Sequence, residues 1–488
     1  MMQSSPVLPW KKYSYKETNL AQEFKLIPFL GIFLISFMAW NIAPPQGLSI
    51  EAWHLFIIFL GTIINIIYNS LPMGAVALIG MLISVVTHTL TIEACFKGFG
   101  NEIVWLVVFA FFIAKGFIKS GLGVRAAYLL IRICGKTSLG LAYGLVIADF
   151  LLAMTIPSNT ARGIGIIFPI LKSLANEQGS CPQKGTQRKI GAFLIKVSYQ
   201  ANVISSAMFL TALVGNSLSA KIAKDIGIII TWQSWALAAL IPGIFNLALL
   251  PFFIYFLYPP ELKLTPTAPI LARKKLKELG SLNTNELIVL GIFSFMLVLW
   301  IFGSFFNLSS TTTALIGCVI FLCTGILSWE EILDEKNAWS TLIWLAILVG
   351  MVSSLYDLGF INWTTNKISY LTFLLPNYLS VIFFVMFYYY SHYFFASATT
   401  HIIAMYPPFL LALLKLNVPS LLAAFLLAVL SNLSAGLTHY GNSSAPVYYG
   451  AGFLTLREWW GLGWIVGIAN LAVWFFIGGI WWKVIGLL

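Results

Sequence analysis

The chain has 488 residues, of which 59% are hydrophobic and only 9% are charged. Soluble domains carry about 25% charged residues, so this composition excludes an ordinary soluble protein. The formal net charge of +11 would suit a nucleic-acid-binding protein, but the basic residues are grouped in short segments between long apolar runs. That distribution marks the cytoplasmic side of a membrane protein and excludes a nucleic-acid partner.

The apolar runs are long enough for helices that span a bilayer, about 20 residues each. A transmembrane β-barrel would instead show alternating segments of about 10 residues, and the sequence has none. The five cysteines are scattered without a CxxC pair, so neither a disulfide framework nor a zinc site is indicated. We therefore expect an all-α polytopic membrane protein that contacts lipid and holds no metal and no cofactor.

Residues 1–25 are polar and basic, and they are predicted to be a cytoplasmic N-terminal segment. They lack the pattern of a removable signal peptide and are too mixed in charge for a transit peptide. This favours the bacterial inner membrane over a plastid inner envelope. The apolar runs that follow predict spans at residues 26–43, 51–70, 72–90 and 101–120.

The next apolar stretch, residues 138–172, is interrupted in its middle by Pro157-Ser158-Asn159-Thr160. If it crossed the membrane once, the basic loop 172–190 would lie outside, against the positive-inside rule. We therefore predict that residues 138–172 form a re-entrant hairpin that enters and leaves on one side. An amphipathic piece with Arg125, Arg132 and Lys136 precedes it and is predicted to lie at the interface.

Residues 190–222 form an apolar segment with a polar middle and a Gly-Asn-Ser break, and residues 233–258 return the chain to the cytoplasm. These elements complete a first half, residues 26–258. The basic stretch 259–284 is predicted to link it to a second half, residues 285–488. The second half repeats the scheme with spans at 285–303, 310–327, 338–358 and 463–486, a hairpin at 376–414 and a broken helix at 418–455.

An internal duplication relates the two halves. Ser158, Arg162 and Pro169 correspond to Ser397, His401 and Pro408, each 239 residues later, and the upstream pair Trp105 and Trp344 keeps the same offset. The repeat unit, which is shorter than the first half, has an odd number of crossings, so its two copies are inserted with opposite orientation. Inverted repeats with interrupted helices are typical of secondary transporters, which bind substrate near the bilayer midplane.

The hairpin tips are suited to binding carboxylates. Proline ends the incoming helix, and Ser158 or Asn159 can cap the outgoing one, whose unpaired N–H groups and positive dipole end then face the site. Arg162 and His401 place cationic side chains in the same turn of each hairpin, where an anion is needed to compensate them. Two tips and two cations predict a dicarboxylate substrate. Two alternatives remain: Arg162 pairs with Asp149 in the other arm, and His401 is a neutral, hydrogen-bonded histidine.

Two glycine-containing breaks, Gly215–Ser217 and Gly441–Ser444, are predicted to complete the site because both copies interrupt a helix. The polar residues Ser198–Ser206 are better explained as contacts between helices. The residues predicted to contact substrate are Ser158, Asn159, Thr160, Arg162, Asn216, Ser217, Ser397, Thr399, Thr400, His401, Gly441, Asn442, Ser443 and Ser444.

The motifs Ser158–Arg162, Ser397–His401 and His439–Pro446 resemble those of the divalent anion/sodium symporter superfamily. Within it the chain is most similar to the branch of 2-oxoglutarate/malate translocators and citrate/succinate antiporters. The resemblance implies a homodimer with an inverted repeat of about eleven transmembrane helices and two re-entrant hairpins, which works as an elevator. It also implies that the two serine-threonine tips hold substrate carboxylates and that the two glycine breaks complete the site.

The chain departs from this family pattern at Ala398, where sodium symporters carry a second asparagine. Alanine offers no side-chain oxygen to sodium, and Arg162 and His401 put positive charge near where sodium would lie. We therefore predict sodium-independent exchange of 2-oxoglutarate for malate or a similar dicarboxylate. The alternative is a sodium-coupled di- or tricarboxylate symporter. An intramembrane enzyme is not indicated, since the sequence has neither a GxSxG nor an HExxH motif.

Overall fold

The computed structural model describes residues 26–488 except 69, 157, 361, 365–366, 368–375 and 396. Throughout this described part the regular elements are helices, and the one β-bridge is the isolated pair Thr137 and Leu264. The prediction of an all-α fold is confirmed. The predicted N-terminal segment 1–25 and Pro157 lie outside the described residues.

The first half begins with helices separated by short connections and ends with the long helix α12. Its helices are α1 (Leu26–Trp40), α2 (Ile50–Ile67), α3 (Met73–Val86), α4 (Ile92–Phe96), α5 (Glu102–Ser120), α6 (Leu122–Cys134), α7 (Ser138–Thr155), α8 (Asn159–Arg162), α9 (Phe168–Glu177), α10 (Gly191–Met208), α11 (Val214–Asp225) and α12 (Trp232–Leu257). A π-helical turn, Gly163–Ile167, joins α8 to α9.

The second half follows a further helix, α13 (Thr267–Leu279), which lies inside the predicted linker. Its helices are α14 (Thr284–Phe302), α15 (Ser310–Cys323), α16 (Trp329–Leu333), α17 (Lys336–Asp357), α18 (Asn377–Ser391), α19 (Ala398–Lys415), α20 (Ser420–Leu433), α21 (Ala445–Gly450) and α22 (Leu456–Val484). Short 3-10 turns follow α10, α18 and α20.

Six helices of the described chain are long and apolar enough to cross a membrane, namely α2, α5, α12, α14, α17 and α22. Their outer faces carry large apolar side chains in exposed positions. On α22, for example, Phe475 and Phe476 are 63% and 67% exposed. Exposed apolar side chains in such numbers are stable in contact with lipid but not with water.

Helix α10 lies at the centre of the molecule, and all of its residues are buried. It packs against α7, α9, α12 and α20, so neighbouring helices surround it on every side. A helix buried on all faces carries its polar residues inside the protein, where each needs a hydrogen-bond partner. Asn202 and Gln200 of α10 meet this need through Asp149 and the backbone carbonyl of Gly436.

The remaining contacts divide the helices into two packed groups. In the first group, α5 packs against α15 and α17, and α3 packs against α2 and α17. In the second group, α10 packs against α7, α12 and α20, α12 against α22, and α11 against α19 and α20. The groups meet where α5 contacts α11 and where α2 contacts α19. We call them the first and second helix groups.

The linker is more ordered than its composition indicates. Helix α13 packs against α6, and Arg125 of α6 forms a bidentate ion pair with Glu286 of α14, with Nε to Oε1 at 2.7 Å and Nη2 to Oε2 at 2.9 Å. The Arg125 guanidinium also donates to the carbonyl of Gly280 at 2.8 Å. Both charged side chains are buried, so this pair joins the first half to the start of the second, and the bond to Gly280 holds the end of the linker against α6.

Candidate functional site

The first hairpin reverses between α7 and α8. Helix α7 ends at Thr155, Ile156 and Ser158 are extended, and α8 begins at Asn159. The Ser158 hydroxyl accepts a hydrogen bond from the Ala161 amide at 3.2 Å, and the Asn159 side chain accepts one from the Thr160 amide at 2.8 Å. The tip is therefore a capped helix N-terminus between the two arms of the hairpin, and serine and asparagine are residues that favour such caps.

The second hairpin reverses between α18 and α19. After a 3-10 turn at His392–Phe394, Ser397 is extended and its carbonyl accepts the amide of His401 at 3.0 Å. Helix α19 then begins at Ala398. The two tips are alike in layout, because both place an extended serine directly before an outgoing helix.

One cavity of about 610 Å³ receives both tips. Seven of the predicted contact residues line it, namely Ser158, Asn159, Thr160, Ser397, Thr399, Thr400 and Ser443. Their hydroxyl and amide groups are neutral hydrogen-bond donors that suit carboxylate oxygens. The structure therefore brings together residues that are more than 230 positions apart in the sequence.

The first helix group lines another part of this cavity, through α5, α17 and the residue that precedes α17. This part contains Phe111, Ala114, Lys115, Ile118, Glu335, Asn337, Ser340, Thr341, Trp344 and Leu348. None of these was among the predicted contact residues. The pairing of Trp105 with Trp344 located the repeat but gave no sign that Trp344 faces the site, and Lys115 has the sequence pattern of a lysine near a span end.

Arg162 lies behind the first tip and does not line the cavity. Its side chain is fully buried, and its guanidinium donates to the carbonyls of Ile156 at 2.7 Å and Ala212 at 3.0 Å and to the hydroxyl of Ser206 at 2.7 Å. Its Nε lies 3.7 Å from Oδ1 of Asp149. The ion pair between Arg162 and Asp149, which the sequence leaves open as an alternative, is thus present. Oxygens from several segments surround the guanidinium.

Asp149 is itself held by the central helix. Asn202 donates to its Oδ1 at 3.0 Å, and the Ser205 hydroxyl bonds its Oδ2. The Asn202 side chain also donates to the carbonyl of Asn159 at 3.2 Å. Because the carboxylate and the guanidinium are both buried, each depends on the other and on these neutral partners.

His401 is placed in the same way behind the second tip. The side chain is fully buried, and its Nε2 lies 2.9 Å from the Ser391 hydroxyl and 3.1 Å from the carbonyl of Tyr388. A second buried histidine, His392, packs edge to face against it with ring centroids 5.1 Å apart. His401 therefore ties the two arms of its hairpin together instead of facing the cavity.

The first helix break is closed by a buried asparagine. Asn216 donates to the carbonyls of Ser206 and Phe209, both at 2.8 Å, and accepts from the Asn432 amide at 2.6 Å. These carbonyls lie at the C-terminal end of α10, where helical partners are missing. Asn216 thus connects the broken helix to α20. Its neighbour Ser217 lines a separate cavity of about 210 Å³.

The second helix break is closed by Asn442. Its side-chain oxygen accepts from the amides of Ser444 and Ala445, at 3.0 and 2.9 Å, and so caps α21. At Gly441 an added Cβ would collide with the carbonyl of Ala435, so the close approach of the two segments requires glycine. Ser443, which follows Asn442, is the residue of this break that lines the main cavity.

Comparison with known proteins agrees with this architecture. Residues 23–488 match the family described as the transmembrane region of sodium:sulfate symporters. The chain belongs to the divalent anion/sodium symporter family. The family and the relatives below are transporters, which confirms the prediction of a transporter and not an enzyme.

Two relatives align over almost the whole chain. YflS of Bacillus subtilis, named as a proposed malate transporter, is 48% identical over 97% of this chain and 99% of its own length. Dicarboxylate transporter 1 of Spinacia oleracea, a chloroplastic protein, is 45% identical over 99% of this chain and 83% of its own length. The solved structure of the YdaH transporter of Alcanivorax borkumensis shares the fold, with a TM-score of 0.54 and 12% identity, over 88% of this chain and 98% of that one.

Ser158→Ala tests the first tip. The variant loses a hydroxyl in the cavity wall and the cap on Ala161, so we expect transport KM to rise about tenfold, as for one lost hydrogen bond to a charged group. The lost cap should cost about 1 kcal/mol of stability. Initial rates in proteoliposomes and thermal unfolding of the purified protein measure the two effects. An unchanged KM would remove Ser158 from the binding site.

Proposed function

We propose that the protein exchanges dicarboxylates across the membrane, taking up 2-oxoglutarate against malate or a similar C4 or C5 dicarboxylate, without sodium. The observation that carries the proposal is the single cavity into which both hairpin tips project. Each tip offers serine and threonine donors to one carboxylate, so a molecule with two carboxylates satisfies both. The names of the relatives, which specify malate and dicarboxylates, support this substrate class.

Independence from sodium is supported by the surroundings of Arg162. Its guanidinium is held by two backbone carbonyls, a hydroxyl and a carboxylate, which are the oxygen ligands that a bound cation would need. A permanent charge in this position leaves no need for a sodium ion. In the second hairpin Ala398 contributes no side-chain oxygen, and His401 fills the corresponding position with a ring.

Obligatory exchange is also part of the proposal. In the empty site the polar donors of the two tips lack carboxylate partners, and moving them through the membrane without an anion is unfavourable. The two helix groups suit an elevator mechanism in which the second group moves past the first with the hairpin tips. We include in the proposal a homodimer, a location in the bacterial inner membrane and a cytoplasmic N-terminus, the last because the segment before the first span is basic.

A sodium-coupled di- or tricarboxylate symporter is the second candidate. The observation that favours it is the family description itself, which names a sodium:sulfate symporter. The two candidates differ in what drives uptake into empty vesicles, because a symporter needs a sodium gradient and an exchanger needs internal substrate.

Counterflow in proteoliposomes decides between them. Uptake of labelled 2-oxoglutarate is measured with and without internal malate, in sodium buffer and in sodium-free buffer. We expect uptake that requires internal malate and does not change with sodium. Sodium-driven uptake into vesicles without malate would establish the symporter and contradict the exchange proposal.

A further inference from the structure

The part of the cavity wall contributed by the first helix group contains an ion pair. Lys115 of α5 lies with its Nζ 3.4 Å from Oε2 of Glu335, which directly precedes α17. Of the described residues that line the cavity, Lys115 is the one cation and Glu335 the one carboxylate. Their side chains are 25% and 17% exposed, so both remain accessible from the cavity.

The contact between Lys115 and Glu335 is loose. A charge-assisted hydrogen bond between ammonium and carboxylate is about 2.7–2.9 Å long, and this pair is wider. The closer partner of the Lys115 ammonium is the backbone carbonyl of Glu331, at 2.6 Å. A lysine has three N–H donors, so the ammonium can keep this carbonyl while it exchanges one carboxylate for another.

The charges that line the cavity also favour the binding of a substrate carboxylate at Lys115. The hairpin tips present neutral donors, and the side chains behind them, Arg162 and His401, are fully buried. A dicarboxylate entering the cavity therefore meets one exposed positive group, Lys115, and one exposed negative group, Glu335. An anion is attracted to the first and repelled by the second.

We propose that Lys115 is the carboxylate-binding residue of the first helix group, and that Glu335 competes with the substrate for it. The inference rests on the proposed exchange of dicarboxylates. When substrate enters, one of its carboxylates replaces Glu335 beside the ammonium, and the released Glu335 carboxylate is hydrated. Lys115 thereby concentrates dianions at the tips while the cavity is open.

A purely structural role would leave a different signature. In that case the pair only ties α5 to the start of α17, and removal of either partner has the same effect. Competition for substrate predicts opposite effects, because loss of Lys115 weakens binding whereas loss of Glu335 frees the ammonium for substrate. A matched control lies nearby on α5, where Lys119 pairs with Glu331 at 2.7 Å and does not line the cavity.

The test compares K115Q, K115R, E335Q and K119Q in the counterflow assay, with thermal unfolding of each purified protein. We expect the KM for 2-oxoglutarate to rise about tenfold in K115Q, to stay close to wild type in K115R and K119Q, and to fall about threefold in E335Q. Added KCl should raise the wild-type KM more than that of K115Q, since salt screens the exposed charge.

Each result has a defined consequence. Normal wild-type exchange with K115Q and E335Q shifted in the same direction, or with both unchanged, would overturn the role of Lys115 and leave the proposed function intact. Absence of exchange in the wild type would overturn the proposed function itself. If K115Q does not yield folded protein, E335Q decides alone: a lower KM supports the inference, and an equal or higher KM contradicts it.

Discussion

Replacing Arg162 with alanine is expected to cost about 3–5 kcal/mol of stability, as the loss of one partner of a buried ion pair does, and to lower exchange at least about hundredfold because the tip is no longer held in place. The variant leaves the Asp149 carboxylate buried without its cation and removes the donors to Ile156, Ala212 and Ser206. Those bonds join the hairpin tip, the broken helix and the central helix α10. Transport in proteoliposomes and thermal unfolding measure the two losses.

The double variant R162Q/D149N distinguishes two roles of Arg162, namely neutralising the buried Asp149 carboxylate and contributing its charge to transport. It removes both buried charges at similar side-chain size, so its thermal stability should recover relative to R162A. We expect its exchange to remain low, because the positive charge that stands in for a cation is gone. Repeating the R162A assay in sodium buffer tests whether Arg162 takes the place of a bound cation. A sodium ion could then bind the oxygens that the guanidinium contacts in the wild type, and exchange would rise with sodium. Recovery of exchange in R162Q/D149N would instead assign Arg162 to stability alone.

Asn216→Ala should be the second most damaging substitution. The side chain bridges the carbonyls of Ser206 and Phe209 to Asn432 of α20, and all of these groups are buried. Each buried polar group left without a partner costs about 1–3 kcal/mol, so we expect a loss of about 3 kcal/mol in stability. Exchange should fall at least about tenfold, since the break in the helix loses its fixed shape.

The control for this variant is Asn65→Ala in α2. Asn65 is also buried, but its amide donates within its own helix, to the carbonyl of Gly61 at 3.0 Å. We expect N65A to transport at close to the wild-type rate. Equal losses in N65A and N216A would show that any buried asparagine matters similarly, and would contradict a specific role for the break. Transport rates normalised to reconstituted protein provide the comparison.

The surroundings of Arg162 are only partly predictable from the sequence. Its residue type and its duplicated position indicate an uncommon cation at membrane depth, and Asp149 is one possible partner. The direction of the side chain depends on the carbonyls of Ile156 and Ala212, which the chain brings together only when the hairpin packs against the broken helix. A side chain with several available acceptors takes the direction that satisfies most of its donors.

The sequence by itself determined the all-α membrane fold, the duplicated tips and the kind of chemistry that their hydroxyl groups support. These properties follow from local composition, from hydrophobic length and from a repeat offset, all of which are one-dimensional. Only the tertiary structure decided that Lys115 and Glu335 meet in one wall of the cavity, that Arg162 and His401 lie behind the tips, and that α13 of the linker packs against α6. Helical periodicity indicates which residues share a face, but packing alone selects the helix that the face contacts.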